Sequence, residues 1–203
     1  MYVKICGLST IETLGAALDA GADAVGMVIS TRSVRNISPN TARSLCDYAG
    51  RSADRVLVVN DLAVDDAVRL ATTIGVDVLQ LHGPKYARAD LEAAAGLFPR
   101  VWRATSLAHF GGEPVGAWGE ESLLLDSPVP GSGETWDIGG LADGPIEGRW
   151  LLAGGLDPDN VGDAVRAARP SGVDVSSGVE SERGVKDAEL IWRFIAAARS
   201  VDA

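Results

Sequence analysis

Two glycine-rich turns carry the clearest chemical signal in this sequence. Gly154-Gly155 follows the apolar run Trp150–Ala153, and Ser176-Ser177-Gly178 follows the run Val173–Val175. Backbone N–H groups in such turns, beside the start of a short helix, bind phosphate dianions in many barrel enzymes. The two turns together predict a phosphate site and a phosphate monoester substrate. Glycines that only permit tight turns would give the same residues, which is a stronger alternative for either turn alone than for both.

Two side chains that could transfer protons stand at the ends of other apolar runs. Cys6 follows Val3–Ile5 and precedes a predicted helix, whose positive end would favour a thiolate acting as a base or a nucleophile. Asp126 ends the run Leu123–Leu125, where a buried carboxyl is costly unless it is used or paired. Each also has a structural interpretation, since a free cysteine is often a small buried hydrophobe and an aspartate often caps a turn.

Three further side chains are candidates for substrate binding. Arg35 follows the second apolar run and could bind a carboxylate through both arms of its guanidinium, or lie solvated in a loop. His82 could donate a hydrogen bond to the substrate or cap the fourth strand. Asp174 could accept a hydrogen bond inside the last strand. Cys46 lies on the apolar face of a predicted helix, and we interpret it as a core residue.

The remaining histidine, His109, lies in a predicted loop, and no clustered set of ligands accompanies either histidine. The sequence therefore predicts no metal site.

The elements that must position these residues alternate along the chain. Amphipathic stretches such as 11–18, 42–49 and 67–74 separate most of the short apolar runs. Ser38-Pro39 and Asp157-Pro158 each place a capping residue before a proline, and Gly21 and Gly75 follow helical patterns as stops. The predicted strands are Val3–Ile5, Ala24–Ile29, Val56–Val59, Val76–Leu81, Val101–Ala104, Leu123–Leu125, Trp150–Ala153 and Val173–Val175.

Eight strand–helix units with continuous apolar strands predict a single-domain α/β fold, a (β/α)8 TIM barrel over residues 1–203. The weakest predicted helices lie near Pro114–Gly119 and Ile138–Ala142. A doubly wound open sheet is the alternative, but the turn after the first strand lacks the Gly-x-Gly-x-x-Gly fingerprint of a dinucleotide site. In a barrel, the candidate residues would meet at the mouth formed by the carboxyl ends of the strands.

Composition narrows the class of protein. The chain has 203 residues, with 18 basic against 28 acidic side chains and a net charge of -10. Scattered basic residues argue against a nucleic-acid partner, and apolar runs too short to cross a bilayer argue against a membrane partner. Two cysteines without a signal peptide indicate a reducing, cytoplasmic location.

Several segments together carry a family resemblance over nearly the whole chain. The sequence resembles the phosphoribosylanthranilate isomerases, which implies a TIM barrel, no cofactor and an Amadori rearrangement in tryptophan biosynthesis. The rearrangement converts N-(5-phosphoribosyl)anthranilate to 1-(2-carboxyphenylamino)-1-deoxyribulose 5-phosphate. The matching segments are residues 3–8, 21–26, 33–39, 80–83, 124–126, 131–137, 153–156 and 173–180, in the family's order and spacing.

The resemblance assigns roles residue by residue. It implies that Cys6 is the general base, that Asp126 is the general acid and that Arg35 binds the anthranilate carboxylate. The turns after the seventh and eighth strands would hold the phosphate. The expected partner is a small-molecule phosphosugar, and the chain could be a monomer or a homodimer.

Two other functions remain as alternatives. A histidine-pathway aminoaldose isomerase performs the same rearrangement on a larger substrate, but resembles a duplicated half-barrel with an aspartate after the first strand and a second phosphate turn after the third. Cys6 and Asn60-Asp61 occupy those places here. A non-catalytic phosphosugar-binding barrel is disfavoured because both residues proposed for proton transfer are present.

Overall fold

Eight parallel strands close into a barrel in which every strand pairs with its sequence neighbours and β8 pairs with β1. The structure is a computed structural model that describes residues 1–126 and 146–202. The closed sheet confirms the predicted barrel and rules out the open-sheet alternative. The strands are β1 Tyr2–Cys6, β2 Ala24–Val28, β3 Asp54–Val59, β4 Val78–His82, β5 Val101–Ser106, β6 Ser122–Asp126, β7 Trp150–Leu152 and β8 Gly172–Val175.

Six α-helices of the described residues pack around the strands. They are α1 Ile11–Asp19, α2 Pro39–Ala49, α3 Val64–Ile74, α4 Arg88–Leu97, α5 Val161–Ala168 and α6 Ala188–Arg199. The Ser38 side chain caps α2 by accepting a hydrogen bond from Thr41 N, and Gly75 ends α3 in the left-handed conformation. Both signals were predicted. None of these helices is long and apolar enough to cross a membrane.

The boundary predicted at Asp157 is displaced. Its carboxylate accepts hydrogen bonds from the N–H groups of Asp159 and Asn160, as a cap would, but these close a turn. The helix α5 begins only at Val161, with Asn160 as its N-cap. The helix therefore starts later than predicted, because the turn that Asp157 caps lies before α5 and is not the first turn of that helix.

The helix predicted near Pro114–Gly119 is wrong. The segment between β5 and β6 holds a short 3-10 helix, Leu107–His109, followed by turns in which Gly112, Gly116 and Gly119 adopt positive φ. Such conformations interrupt a helix. The helix predicted near Ile138–Ala142 lies outside the described residues, as does the family-like segment 131–137.

Where the missing helix would cover β5, a side-chain cluster covers it instead. The guanidinium of the buried Arg103 stacks on the Trp118 ring at 3.4 Å and pairs with Glu113. A planar, weakly hydrated cation suits such a stacked site. Arg103 and Trp118 thus shield the outer face of β5.

A short hairpin follows β8 and was not predicted. Its strands are β9, Glu180–Glu182, and β10, Val185–Lys186. It leads into α6, and its residues Glu180 and Lys186 meet side chains at the mouth.

The barrel interior divides into an apolar lower part and a polar mouth. Tyr2 and Trp102 form an edge-to-face pair with ring centroids 6.1 Å apart, and the Arg149 guanidinium lies 4.4 Å from the Tyr2 ring centre. We call Tyr2, Trp102 and Arg149 the barrel floor. Above it, apolar residues fill much of the interior. Apart from Ser122 at the start of β6, the polar side chains of the interior lie toward the carboxyl ends of the strands. Those near the mouth are Lys4, Cys6, Gln80, His82, Asp126 and Asp174.

The floor makes a testable contribution to stability. Trp102 is fully buried, and its indole N–H donates to Glu121 at 3.0 Å. We expect Trp102→Ala to lower the free energy of unfolding by about 3 to 5 kcal/mol, the cost of removing a large buried ring. Urea denaturation measures this loss. The matched control is Trp192→Ala on α6, where the side chain is 49% exposed and the loss should be much smaller. Equal losses would show that the floor has no special part in stability.

Candidate active site

The end of β1 places a lysine and a cysteine in the same part of the barrel interior. Lys4 and Cys6 are two residues apart, so their side chains leave the strand on the same face. A Cβ built on Gly26 of β2 would lie 3.0 Å from Cys6 Sγ and 3.2 Å from Lys4 Cε. The lysine chain and the sulfur therefore pack side by side over a residue that must be small.

The Lys4 ammonium is fully buried and donates to Asp174 Oδ1 of β8 at 2.7 Å. Burial raises the pKa of the Asp174 carboxyl, and the nearby Asp126 raises it further. The Lys4 cation lowers this pKa, but the net direction is upward. Burial lowers the pKa of Lys4, but Asp174 and Cys6 raise it, and the net direction is again upward. Lys4 therefore stays a cation inside the barrel.

Burial raises the pKa of the Cys6 thiol, and the nearby Asp174 carboxylate adds to this effect. The Lys4 and Lys186 cations lower the pKa, but the net direction is upward. This corrects the expectation that the following helix would favour a thiolate. The helix α1 begins only at Ile11, and the cations that act on the sulfur are two lysines that the sequence analysis did not single out. Burial thus favours the thiol form of Cys6, and the two lysines act in the opposite direction.

Asp126 and His82 meet across the mouth. Asp126, at the end of β6, is buried, and its Oδ2 lies 3.7 Å from His82 Nε2 of β4. Burial and the Lys4 cation lower the pKa of His82 to about 4, although Asp174 raises it. The imidazole is therefore neutral near neutral pH, and its contact with Asp126 is not an ion pair there. Below it, Gln80 Nε2 lies 3.5 Å from His82 Nδ1.

The two glycine-rich turns pack directly against each other beside Cys6. A Cβ on Gly178 would lie 1.8 Å from Leu156 O, so only glycine allows this approach. The Ser176 hydroxyl donates to Cys6 O at 3.1 Å, which joins the second turn to the end of β1. No described residue accepts a hydrogen bond from the N–H groups of Gly154, Gly155, Ser177 or Gly178. These donors are available to an anion.

Arg35 reaches the mouth but is held by a carboxylate of the protein. Its Nε and Nη2 donate to Glu180 Oε1 and Oε2 at 2.6 and 2.9 Å. The Lys186 ammonium donates to Glu180 Oε1 and to Ser176 O, each at 2.7 Å. Burial raises the pKa of Glu180, but the hydrogen bonds from Arg35 and Lys186 have the larger combined effect and lower the pKa to about 2. Arg35 thus keeps one terminal nitrogen, Nη1, for another anion instead of the full fork that was expected.

Comparison with known proteins agrees with this arrangement. The sequence profile of the family described as N-(5'phosphoribosyl)anthranilate (PRA) isomerase matches residues 3–197. The chain belongs to the phosphoribosylanthranilate isomerase family.

Members of this isomerase family match the chain over nearly their full length. An N-(5'-phosphoribosyl)anthranilate isomerase of Bradyrhizobium sp. strain BTAi1 is 40% identical over 216 residues, covering 100% of this chain and 97% of that protein. The crystal structure of TrpF from Jonesia denitrificans is 51% identical, with a TM-score of 0.93 and coverage of 100% and 98%. A phosphoribosyl anthranilate isomerase in complex with reduced 1-(o-carboxyphenylamino)-1-deoxyribulose 5-phosphate is 29% identical, with a TM-score of 0.85 and coverage of 98% and 99%.

The structure gathers the candidate residues of the sequence analysis at one mouth. Cys6, His82, Asp126 and Asp174 project from four strands, and the two glycine-rich turns and Arg35 flank them. Cys46 is buried against Met27, with the two sulfurs 3.7 Å apart, which agrees with its interpretation as core. Among the described residues there is no group of three or more His, Cys, Asp or Glu side chains that could hold a metal.

Sequence reasoning missed Lys4, Glu180 and Lys186 of this isomerase site. For Lys4 a signal existed, because a lysine two residues before Cys6 in an apolar strand must enter the same interior. Glu180 and Lys186 gave no such signal, since their positions depend on the unpredicted hairpin.

The buried neutral His82 of this isomerase predicts a pH dependence of stability. Its folded pKa of about 4 lies below the ordinary 6.5, so the unfolded chain binds the proton first as pH falls. The contribution of neutral His82 to stability is therefore complete above pH 6.5 and is lost progressively toward pH 4. We expect His82→Asn to remove part of this loss, measured by urea denaturation at several pH values. The same substitution at His109 is the matched control.

An NMR titration of the His82 ring protons checks the cause directly. The expected midpoint is near 4. A midpoint at or above 6.5 would contradict the neutral state of the buried imidazole.

Proposed function

We propose that this chain converts N-(5'-phosphoribosyl)anthranilate to 1-(2-carboxyphenylamino)-1-deoxyribulose 5-phosphate, a step of tryptophan biosynthesis. The observation that carries the proposal is the pairing of two proton-transfer groups, Cys6 and Asp126, at one mouth beside free backbone donors for phosphate. The rearrangement moves protons and no net electrons between molecules. The proposal therefore includes no cofactor.

The phosphate fixes how the substrate enters the mouth. Free N–H groups of Gly154, Gly155, Ser177 and Gly178 bind its oxygens, and Ser176 ties this site to the end of β1. The sugar then lies near Cys6 and extends across the mouth toward Asp126. Arg35 binds the anthranilate carboxylate through Nη1, while Glu180 keeps the guanidinium oriented.

The acid step opens the sugar ring. The anthranilate nitrogen forms a double bond to C1, the bond from C1 to the ring oxygen breaks, and the protonated Asp126 carboxyl gives its proton to that oxygen. Neutral His82, close to Asp126, is available as a hydrogen-bond partner for the substrate. This step leaves an iminium ion on the substrate and a carboxylate on Asp126.

The base step removes the proton from C2. The Cys6 thiolate takes it, and the electron pair of the broken bond forms a C1–C2 double bond that neutralises the iminium nitrogen. The enolamine then tautomerises to the ketone. Lys4 and Lys186 provide the positive charge that the thiolate needs in a buried site.

The end of β3 argues against the histidine-pathway alternative. That reaction needs a second phosphate subsite there, but the Asp61 carboxylate occupies the rim and accepts hydrogen bonds from Thr31 N and Oγ1 at 2.9 and 2.6 Å. A fixed carboxylate repels a phosphate dianion. The non-catalytic alternative is disfavoured because both proton-transfer groups reach the mouth.

Turnover of both aminoaldose substrates by the purified chain tests the function. We expect conversion of phosphoribosylanthranilate and rescue of a tryptophan auxotroph that lacks this isomerase, because only this substrate has a single phosphate and an aryl carboxylate. A histidine auxotroph is the control. Conversion of the histidine-pathway substrate alone, or of neither, would refute the proposal.

Two substitutions test the proposed roles. We expect Cys6→Ala and Asp126→Asn each to lower kcat by about 100-fold or more, the scale for loss of a positioned proton-transfer group. Cys46→Ala removes the other thiol and should retain activity. Steady-state kinetics gives both results, with circular dichroism as the check on folding.

Two outcomes would contradict these roles. Parent-like turnover by Cys6→Ala would remove the general-base assignment. Trapping of a substrate-derived adduct on Cys6 by rapid quench and mass spectrometry would make the thiol a nucleophile instead.

A further inference from the structure

Lys4 is a buried charge that neither donates nor accepts a proton in the acid and base steps. It lies inside the barrel with no exposed surface, and its ammonium donates a hydrogen bond to Asp174. Placing both charges of such a pair inside a protein is costly, and apolar residues often serve stability as well. Stability alone is therefore a weak reason for a lysine here.

The position of Lys4 relative to Cys6 suggests another reason. The lysine Cε and the cysteine sulfur lie 3.2 and 3.0 Å from the same point above Gly26. The ammonium at the end of this side chain can therefore face the Asp174 carboxylate and the sulfur from one place. The missing side chain at Gly26 provides the room for both.

We propose that Lys4 is a positioning residue, a single buried cation shared between Asp174 and Cys6, that holds the sulfur as a thiolate for the reaction. The inference deepens the proposed function and rests on the assignment of Cys6 as the base. Before substrate binds, the thiol proton leaves to solvent at the mouth and the thiolate pairs with Lys4. When the C2 proton arrives on the sulfur, the Lys4 charge is again balanced by Asp174 alone.

The other charged groups around Cys6 are already committed. Lys186 of the hairpin and Arg35 of the loop after β2 both bond Glu180, which neutralises them in part. β2 contributes Gly26 at the contact, and β8 contributes Asp174, which raises the pKa of the thiol. The Asp174 carboxylate and the Cys6 thiolate thus compete for the Lys4 ammonium. Removing Asp174 should therefore lower the thiol pKa, and removing Lys4 should raise it.

The test measures the Cys6 thiol without any substrate. All variants carry Cys46→Ala, which leaves Cys6 as the only thiol of the chain. The rate of alkylation by iodoacetamide, followed by mass spectrometry across pH, gives the thiol pKa because the thiolate is the reacting form. The key comparison is Asp174→Asn against Asp174→Asn with Lys4→Met. It removes Lys4 without leaving a buried carboxylate unpaired.

We expect Asp174→Asn to lower the thiol pKa relative to the parent, because Lys4 then faces only the sulfur. Adding Lys4→Met should raise it by at least about one unit, which is about a tenfold slower alkylation below both midpoints. The acidic limb of kcat/KM should move by the same amount. Adding Lys85→Met instead is the matched control, because Lys85 is exposed and bonds the backbone oxygens of Asp61 and Leu62.

The outcomes separate this inference from the proposed function. If Lys4→Met shifts the thiol pKa no more than Lys85→Met, or if Asp174→Asn alone fails to lower it, the shared-cation role is wrong even if the enzyme is active. If the double variant does not fold, the thiol pKa of Asp174→Asn compared with that of the parent decides the question. Absence of turnover in the parent, with the thiol shifts present, would overturn the function and leave the Lys4–Cys6 coupling in place.

Discussion

The pairing of β8 with β1 is the contact on which the rest of the molecule depends, because it turns a row of parallel strands into a closed barrel. Closure brings the carboxyl ends of all eight strands to one rim. Cys6 of β1 and Asp126 of β6 therefore face one mouth although they are distant in sequence. The same pairing sets Lys4 opposite Asp174, so the closing contact itself contains the buried ion pair.

Several charged side chains at the mouth are buried, so water does not stabilise their charges as it would at the surface. Each is compensated by a partner from another element: Lys4 by Asp174 across β1 and β8, and Glu180 by Arg35 and Lys186 between a loop and the hairpin. Such pairs gain little net stability but fix positions. The favourable free energy comes from the apolar surface between strands and helices. Apolar burial between strands and helices thus supplies the stability that holds the ion pairs of the mouth in place.

The sequence allowed the barrel, its strands and the residues at the strand ends to be predicted. The reason is that the spacing of apolar residues along the chain indicates where each strand and helix lies. Cys6 and Asp126 could be selected since parallel strands end at one rim. The stretch 114–119 was assigned wrongly although its glycines signal turns, since Gly112, Gly116 and Gly119 adopt positive φ. The packing of Arg103 on Trp118, which covers β5 there, could not be predicted from local pattern. Likewise, the direction of the Cys6 pKa depends on burial and on Lys4 and Lys186, and the hold of Glu180 on Arg35 depends on a hairpin distant from it in sequence.

The barrel floor has a consequence for how such a protein can adapt. Tyr2, Trp102 and Arg149 lie at the amino ends of the strands, about 15 Å from the mouth for strands of this length. Effects of substitutions separated by more than about 10 Å, with no shared partner, are usually additive. Heat tolerance can therefore change at the floor while the chemistry at the mouth stays as it is. A lineage moving between cold and hot habitats has two separate sets of residues on which selection can act.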